Sequence, residues 1–124
     1  MISILWCLLG IFAGVIFGTI PGAAAFLAIA TFYPLLYTLD PFNILLFYIA
    51  LLITCNYTNS ITAILYGIPG DASAVATARH GHNLLLKGQG HLAVSSNAIS
   101  STIGSIFAIC LFLLFFPTQE ILQN

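Results

Sequence analysis

Residues 42–68 read FNILLFYIALLITCNYTNSITAILYGI, a run without one Asp, Glu, Lys or Arg. Crossing ~30 Å of hydrocarbon takes about 20 helical residues, so the run is long enough to span a bilayer as a tilted helix. Its middle is at odds with lipid. Thr54, Asn56, Thr58, Asn59, Ser60 and Thr62 would place two carboxamides and several hydroxyls in hydrocarbon without partners, which is costly. They must therefore meet protein or a ligand. Helical spacing puts Asn56, Asn59 and Ser60 on one face, and local unwinding there would free carbonyl oxygens for a cation or substrate.

Working outward, Asp40-Pro41 is a turn signal that also suits a helix start. Before it, Ala23 to Leu39 is short and interrupted by Pro34, so it reads as a half-helix or a broken one. Ile2 to Ile20 carries no charge and is ended by Pro21-Gly22, where proline removes a backbone donor and glycine permits a sharp turn. On the far side, Leu92 to Phe116 forms another apolar block. Between the last two blocks, Pro69 to His91 holds Asp71, Arg79, Lys87 and the three histidines, too polar for a lipid-facing span. The expected fold is an all-α polytopic membrane protein, one transmembrane region over residues 1–124. It has roughly three to four membrane segments, some Pro-Gly-broken or re-entrant.

Composition excludes other classes. Only 4% of residues are charged, 60% are hydrophobic and mean hydropathy is +1.11, so Asp40, Asp71, Arg79, Lys87 and Glu120 cannot solvate a soluble globule. A net charge of −1 without a basic cluster removes the footprint of nucleic-acid binding. Cys7, Cys55 and Cys110 lie far apart in apolar runs and read as small buried hydrophobes. No Lys or Arg precedes Arg79, so the first block lacks a secretory n-region and reads as a retained segment. The positive-inside rule places Arg79 and Lys87 on the cytoplasmic side. His80-Gly81-His82 with His91 lacks the carboxylate or Cys company of metal sites. Catalytic triads and a phosphate loop are missing as well, so neither a metal nor an enzyme is expected.

Small residues mark packing faces. Gly10, Gly14, Gly18 and Gly22 recur every fourth residue, a ladder that admits a close helix neighbour; Ser96, Ser100, Gly104 and Ala108 form a second one, with Asn97 and Ser101 beside it. The first and last helices are expected to pack together through these ladders. Ile20-Pro21-Gly22 and Ile68-Pro69-Gly70 repeat one device, each followed by small residues, Ala23-Ala24-Ala25 and Asp71-Ala72-Ser73-Ala74. Such pairs mark discontinuous helices in secondary transporters. Pro69 to Ser73 reads as a helix start with Asp71 either as its cap or in a functional role.

Three segments together resemble a known family: Gly14-Val15-Ile16-Phe17-Gly18-Thr19-Ile20-Pro21-Gly22, Leu39-Asp40-Pro41, and Ser60-Ile61-Thr62-Ala63-Ile64-Leu65-Tyr66-Gly67-Ile68-Pro69-Gly70. They resemble the large membrane subunit of tripartite tricarboxylate transporters, the TctA family. Ala72 to Thr77, Gly81-His82 and Lys87-Gly88-Gln89-Gly90 continue the order to the Gly104 helix. The resemblance implies a permease of the bacterial inner membrane, working with a small membrane subunit and a periplasmic solute-binding protein. It also implies coupling to a cation such as Na+ or H+, and carboxylate cargo such as citrate. The sequence departs from the family pattern at Thr58-Asn59, where a glycine-rich stretch is usual, and at His80, where an acidic residue is usual. Family members are several times longer, with two related halves of opposite topology, and this chain resembles the beginning of the first.

The leading expectation is thus the N-terminal part of a carboxylate permease, incomplete alone. Asn56, Asn59, Ser60 and Thr62 would line its site, and Gly22, Gly70 and Ser73 would offer backbone or hydroxyl donors. Its partners would be lipid, the remainder of the permease or further copies of the chain, and a carboxylate. The rival is a small holin-like pore that self-assembles on the glycine ladder, or an inactive truncated remnant.

Overall fold

The computed structural model describes residues 2–22 and 25–122, with side chains over residues 3–22 and 25–115. Among these residues the fold is all helical: α1 (Ile2–Thr19), α2 (Ala25–Leu36), α3 (Pro41–Tyr66), a 3-10 turn (Ala72–Ala74), α4 (Val75–Leu86) and α5 (Gly90–Leu122). Two helices, Pro41–Tyr66 and Gly90–Phe115, are long and apolar enough to cross a bilayer, while Ser3–Thr19 and Ala25–Leu36 are shorter. At 1.5 Å per residue α2 gives only about 18 Å of helix, well short of ~30 Å of hydrocarbon.

The glycine ladder sets the main contact. A Cβ on Gly10 would lie 2.5 Å from the Phe47 carbonyl oxygen, on Gly14 2.7 Å from that of Leu51, and on Gly18 2.7 Å from Thr58 Cβ. Contacts ascend both helices together, so α1 and α3 run parallel with backbones close enough to exclude side chains. Thr62 Oγ1 adds a polar tie, lying 3.1 Å from the Gly18 carbonyl oxygen and 3.0 Å from that of Thr58. The expected pairing of the first and last helices is therefore corrected. The ladder's partner is α3, while a Cβ on Gly104 would meet nothing within 4 Å, and Ser96 and Ser100 are exposed. Gly22 leaves the ladder as well, sitting beyond α1 at φ 83° with open space around it.

Parallel α1 and α3 require the chain to return between them, and α2 packs in that return. Ala28 and Leu36 of α2 are buried with Ala13, Phe47 and Leu51. Edge-on aromatic contacts link the three helices, Phe17 to Phe32 at 5.8 Å and Phe32 to Phe47 at 5.3 Å. Pro34 falls in the last turn of α2, which stops at Leu36. Pro41 opens α3 at a position whose N–H would be unsatisfied anyway, and the Asp40 carbonyl accepts from Asn43 and Ile44. Of the cysteines, Cys55 is buried and Cys7 half-buried, but Cys110 is exposed on α5, contrary to the reading of all three as buried. Helix α5 runs on through Pro117 to Leu122, beyond the apolar block that ends at Phe116; the Glu120 side chain lies outside the described residues.

Both Pro-Gly pairs lie between helices, Pro21-Gly22 after α1 and Pro69-Gly70 after α3. Ala23 and Ala24, the small residues after the first pair, lie outside the described residues. The second pair is better defined. Gly67 ends α3 in the left-handed region at φ 70°, its N–H donating to the Ala63 carbonyl. The chain then doubles back, so that a Cβ on Gly70 would overlap the Asn59 carboxamide, about 10 Å before the end of α3. Asp71 caps the next turn, its Oδ1 accepting from Ala74 N at 3.0 Å and from Ser73 Oγ at 2.6 Å. Helix α4 then follows α3, Gly81 against Ile64 and His82 against Gly67, and α5 returns antiparallel.

Candidate functional site

A cavity of about 540 Å³ lies where these elements meet. Helix α3 contributes Ile53, Asn56, Tyr57 and Ser60, the turn before α4 contributes Ser73, α4 contributes Thr77, and α5 contributes Asn97, Ser101 and Ser105. Three of the hydroxyl protons are committed: Ser60 donates to the Asn56 carbonyl, Ser105 to the Ser101 carbonyl and Ser73 to Asp71. Their oxygens keep lone pairs that accept. The Asn56, Tyr57, Thr77, Asn97 and Ser101 side chains make no hydrogen bond among the described residues, so two carboxamides and three hydroxyls are free to donate. The wall thus offers neutral donors and oxygen acceptors without a fixed charge. A second cavity of about 250 Å³ adjoins it between α3, α4 and α5, sharing Thr77 and Asn97 and carrying His80, Ser96 and Ser100.

The sequence-expected residues divide. Asn56, Ser60 and Ser73 come together on the larger cavity. Asn59 does not join them, because it turns toward Gly70 and is only 4% exposed, with Oδ1 buried and without a partner among the described residues. Thr62 is equally buried and ties α3 to α1. Gly70 is covered by Asn59, and Gly22 lines neither cavity. The expected unwinding around residues 54–62 is also corrected. Helix α3 is continuous from Pro41 to Tyr66, and the Ser60 and Thr62 hydroxyls bond back to carbonyls a turn earlier without breaking the helix.

Thr77, Asn97, Ser101 and Ser105 were not anticipated as site residues. Asn97, Ser101 and Ser105 recur every fourth position, a polar stripe one step around the helix from the small-residue ladder, and that spacing was the available signal. Thr77 had none, since only the fold brings α4 against α3.

Matched against protein families, residues 4–123 fit the tripartite tricarboxylate transporter TctA family. This chain belongs to that family. Two curated relatives match at comparable distance. An uncharacterized 52.8 kDa protein from the TAR-I ttuC′ 3′ region of Agrobacterium vitis is 32% identical over 109 residues, covering 88% of this chain and 21% of that one. An uncharacterized protein of Methanocaldococcus jannaschii is 33% identical over 109 residues, covering 88% of this chain and 27% of its own. The chain spans about a fifth to a quarter of the length of these relatives. No solved structure matches it.

The rival built on self-assembly loses its footing in this geometry. In this member of the TctA family Gly10, Gly14 and Gly18 are already covered by α3 of the same chain.

Proposed function

We propose that the chain forms part of a cation-coupled permease for tricarboxylates or related carboxylates and supplies one wall of its substrate site. Family membership supports the transporter class, and the 540 Å³ cavity is the observation that carries the assignment of the site. Carboxylate oxygens accept from the Asn56 and Asn97 carboxamides and the Thr77 hydroxyl. Burying a multiply charged anion among neutral donors alone leaves charge uncompensated, which is costly in low dielectric. A cation carried with the substrate, held by the hydroxyl and carboxamide oxygens of the same wall, offsets that cost. This is the physical reason to couple the two.

Alternating access requires a second wall, which inverted-repeat transporters draw from their other half. The remainder of the permease supplies it here, and the two Pro-Gly breaks mark where this half moves or unwinds. In this reading the assembly sits in the bacterial inner membrane as a multi-pass protein, with the small membrane subunit beside it and a periplasmic solute-binding protein delivering cargo. The test is uptake of radiolabelled citrate into vesicles carrying the complete transporter. Joint Asn56→Leu and Asn97→Leu substitution is expected to lower uptake at least about tenfold through loss of two donors to a charged group. Full uptake by the double variant would overturn the assignment of this cavity.

A further inference from the structure

We propose that His80 selects polycarboxylates over monocarboxylates, holding a second carboxylate in the smaller cavity while the first lies against Asn56 in the larger one. The inference rests on the carboxylate reading above and defines which members of that class the site takes. The two cavities share Thr77 and Asn97, so one ligand lies across both with that pair at its waist. All groups on the larger cavity are neutral in their ordinary state, whereas His80 is the one side chain on either cavity, among the described residues, able to take a positive charge.

Position and freedom both suit the role. His80 stands one turn beyond Thr77 on the same face of α4. Neighbouring Gly81 packs on Ile64, where a Cβ would lie 2.7 Å from Cγ1, which holds α4 close to α3. The exposed imidazole has no partner among the described residues, so its ring nitrogens are open to a ligand carboxylate. A ligand with one carboxylate, held by the donors of the larger cavity, does not extend to His80. One with two or three extends past Asn97 and gains a hydrogen bond from the imidazole.

The experiment is equilibrium binding of citrate, succinate and acetate to the complete permease in lipid nanodiscs. His80→Gln is expected to weaken citrate and succinate about tenfold, the size of one hydrogen bond to a charged group, and to leave acetate unchanged. His80→Lys should restore the preference. Equal effects on all three ligands, or none on any, would overturn the role of His80 while Asn56→Leu still tests the larger cavity. If the unsubstituted protein binds none of the three, the carboxylate reading itself falls and this inference with it.

Discussion

Thr62 donates across the α1–α3 interface to the carbonyl of Gly18, at 3.1 Å, while also lying 3.0 Å from the Thr58 carbonyl of its own helix. The shared proton explains how a hydroxyl sits buried in an apolar contact at little cost, since the intrahelical bond persists when the partner helix moves away. Thr62→Val keeps the shape and removes both bonds. It should destabilise the α1–α3 pair by about 1 kcal/mol, read as a lower midpoint in denaturant titrations followed by the fluorescence of Trp6, the one tryptophan. Because Thr62 lines neither cavity, citrate affinity should stay unchanged.

Gly14 and Gly104 make a matched pair for testing which ladder is occupied. A Cβ on Gly14 would press on the Leu51 carbonyl at 2.7 Å and Thr54 Cβ at 2.9 Å, whereas one on Gly104 would meet nothing within 4 Å. Gly14→Ala should therefore cost about 1–3 kcal/mol as overpacking against backbone that cannot yield. Gly104→Ala should leave the stability of this segment level or slightly raised. Thermal melts of the two variants in the same detergent give the comparison.

Much of this architecture is written in the chain. Pro21-Gly22, Asp40-Pro41 and Pro69-Gly70 punctuate the helices because proline and glycine act locally, and their effect needs no knowledge of neighbours. The glycine ladder announced a close helix contact for the same reason. Its partner was not legible: a ladder states that something approaches, while parallel packing on α3 depends on where α2 returns the chain. The lining of the candidate cavity was half legible. Asn56 and Ser60 stand four residues apart and share the cavity, but Asn59, one step around the helix, is claimed by Gly70. That choice is made by a loop doubling back from beyond the helix end, which periodicity does not encode.

Asn59 and Gly70 should behave as a coupled pair. Gly70→Ala places a methyl on the Asn59 carboxamide and should destabilise by about 1–3 kcal/mol. Asn59→Ala in the same chain should recover much of the loss, giving a coupling energy of about 0.5–3 kcal/mol in a double-mutant cycle. Additive losses would mean that the two do not touch. Asn59→Leu is the complementary variant: the buried Oδ1 has no partner among the described residues, so a near-isosteric apolar side chain should leave stability level or improved.

His82 and Gly67 govern where α3 ends. The imidazole Nδ1 donates to the Ile64 carbonyl at 3.0 Å, satisfying an orphan acceptor of the last turn. The ring lies against Gly67, where a Cβ would approach it to 3.0 Å. Gly67→Ala meets two obstacles, the left-handed φ of 70° and the ring. His82→Ala removes only the second and forfeits the bond. Gly67→Ala is therefore expected to cost about 1–2 kcal/mol for the backbone alone, with a further loss from the ring that disappears when His82→Ala is already present. Denaturant midpoints of the two single variants and the double variant separate these parts. A Gly67→Ala cost that His82→Ala leaves untouched would assign the whole penalty to the backbone, and the ring would then serve only as the cap of α3.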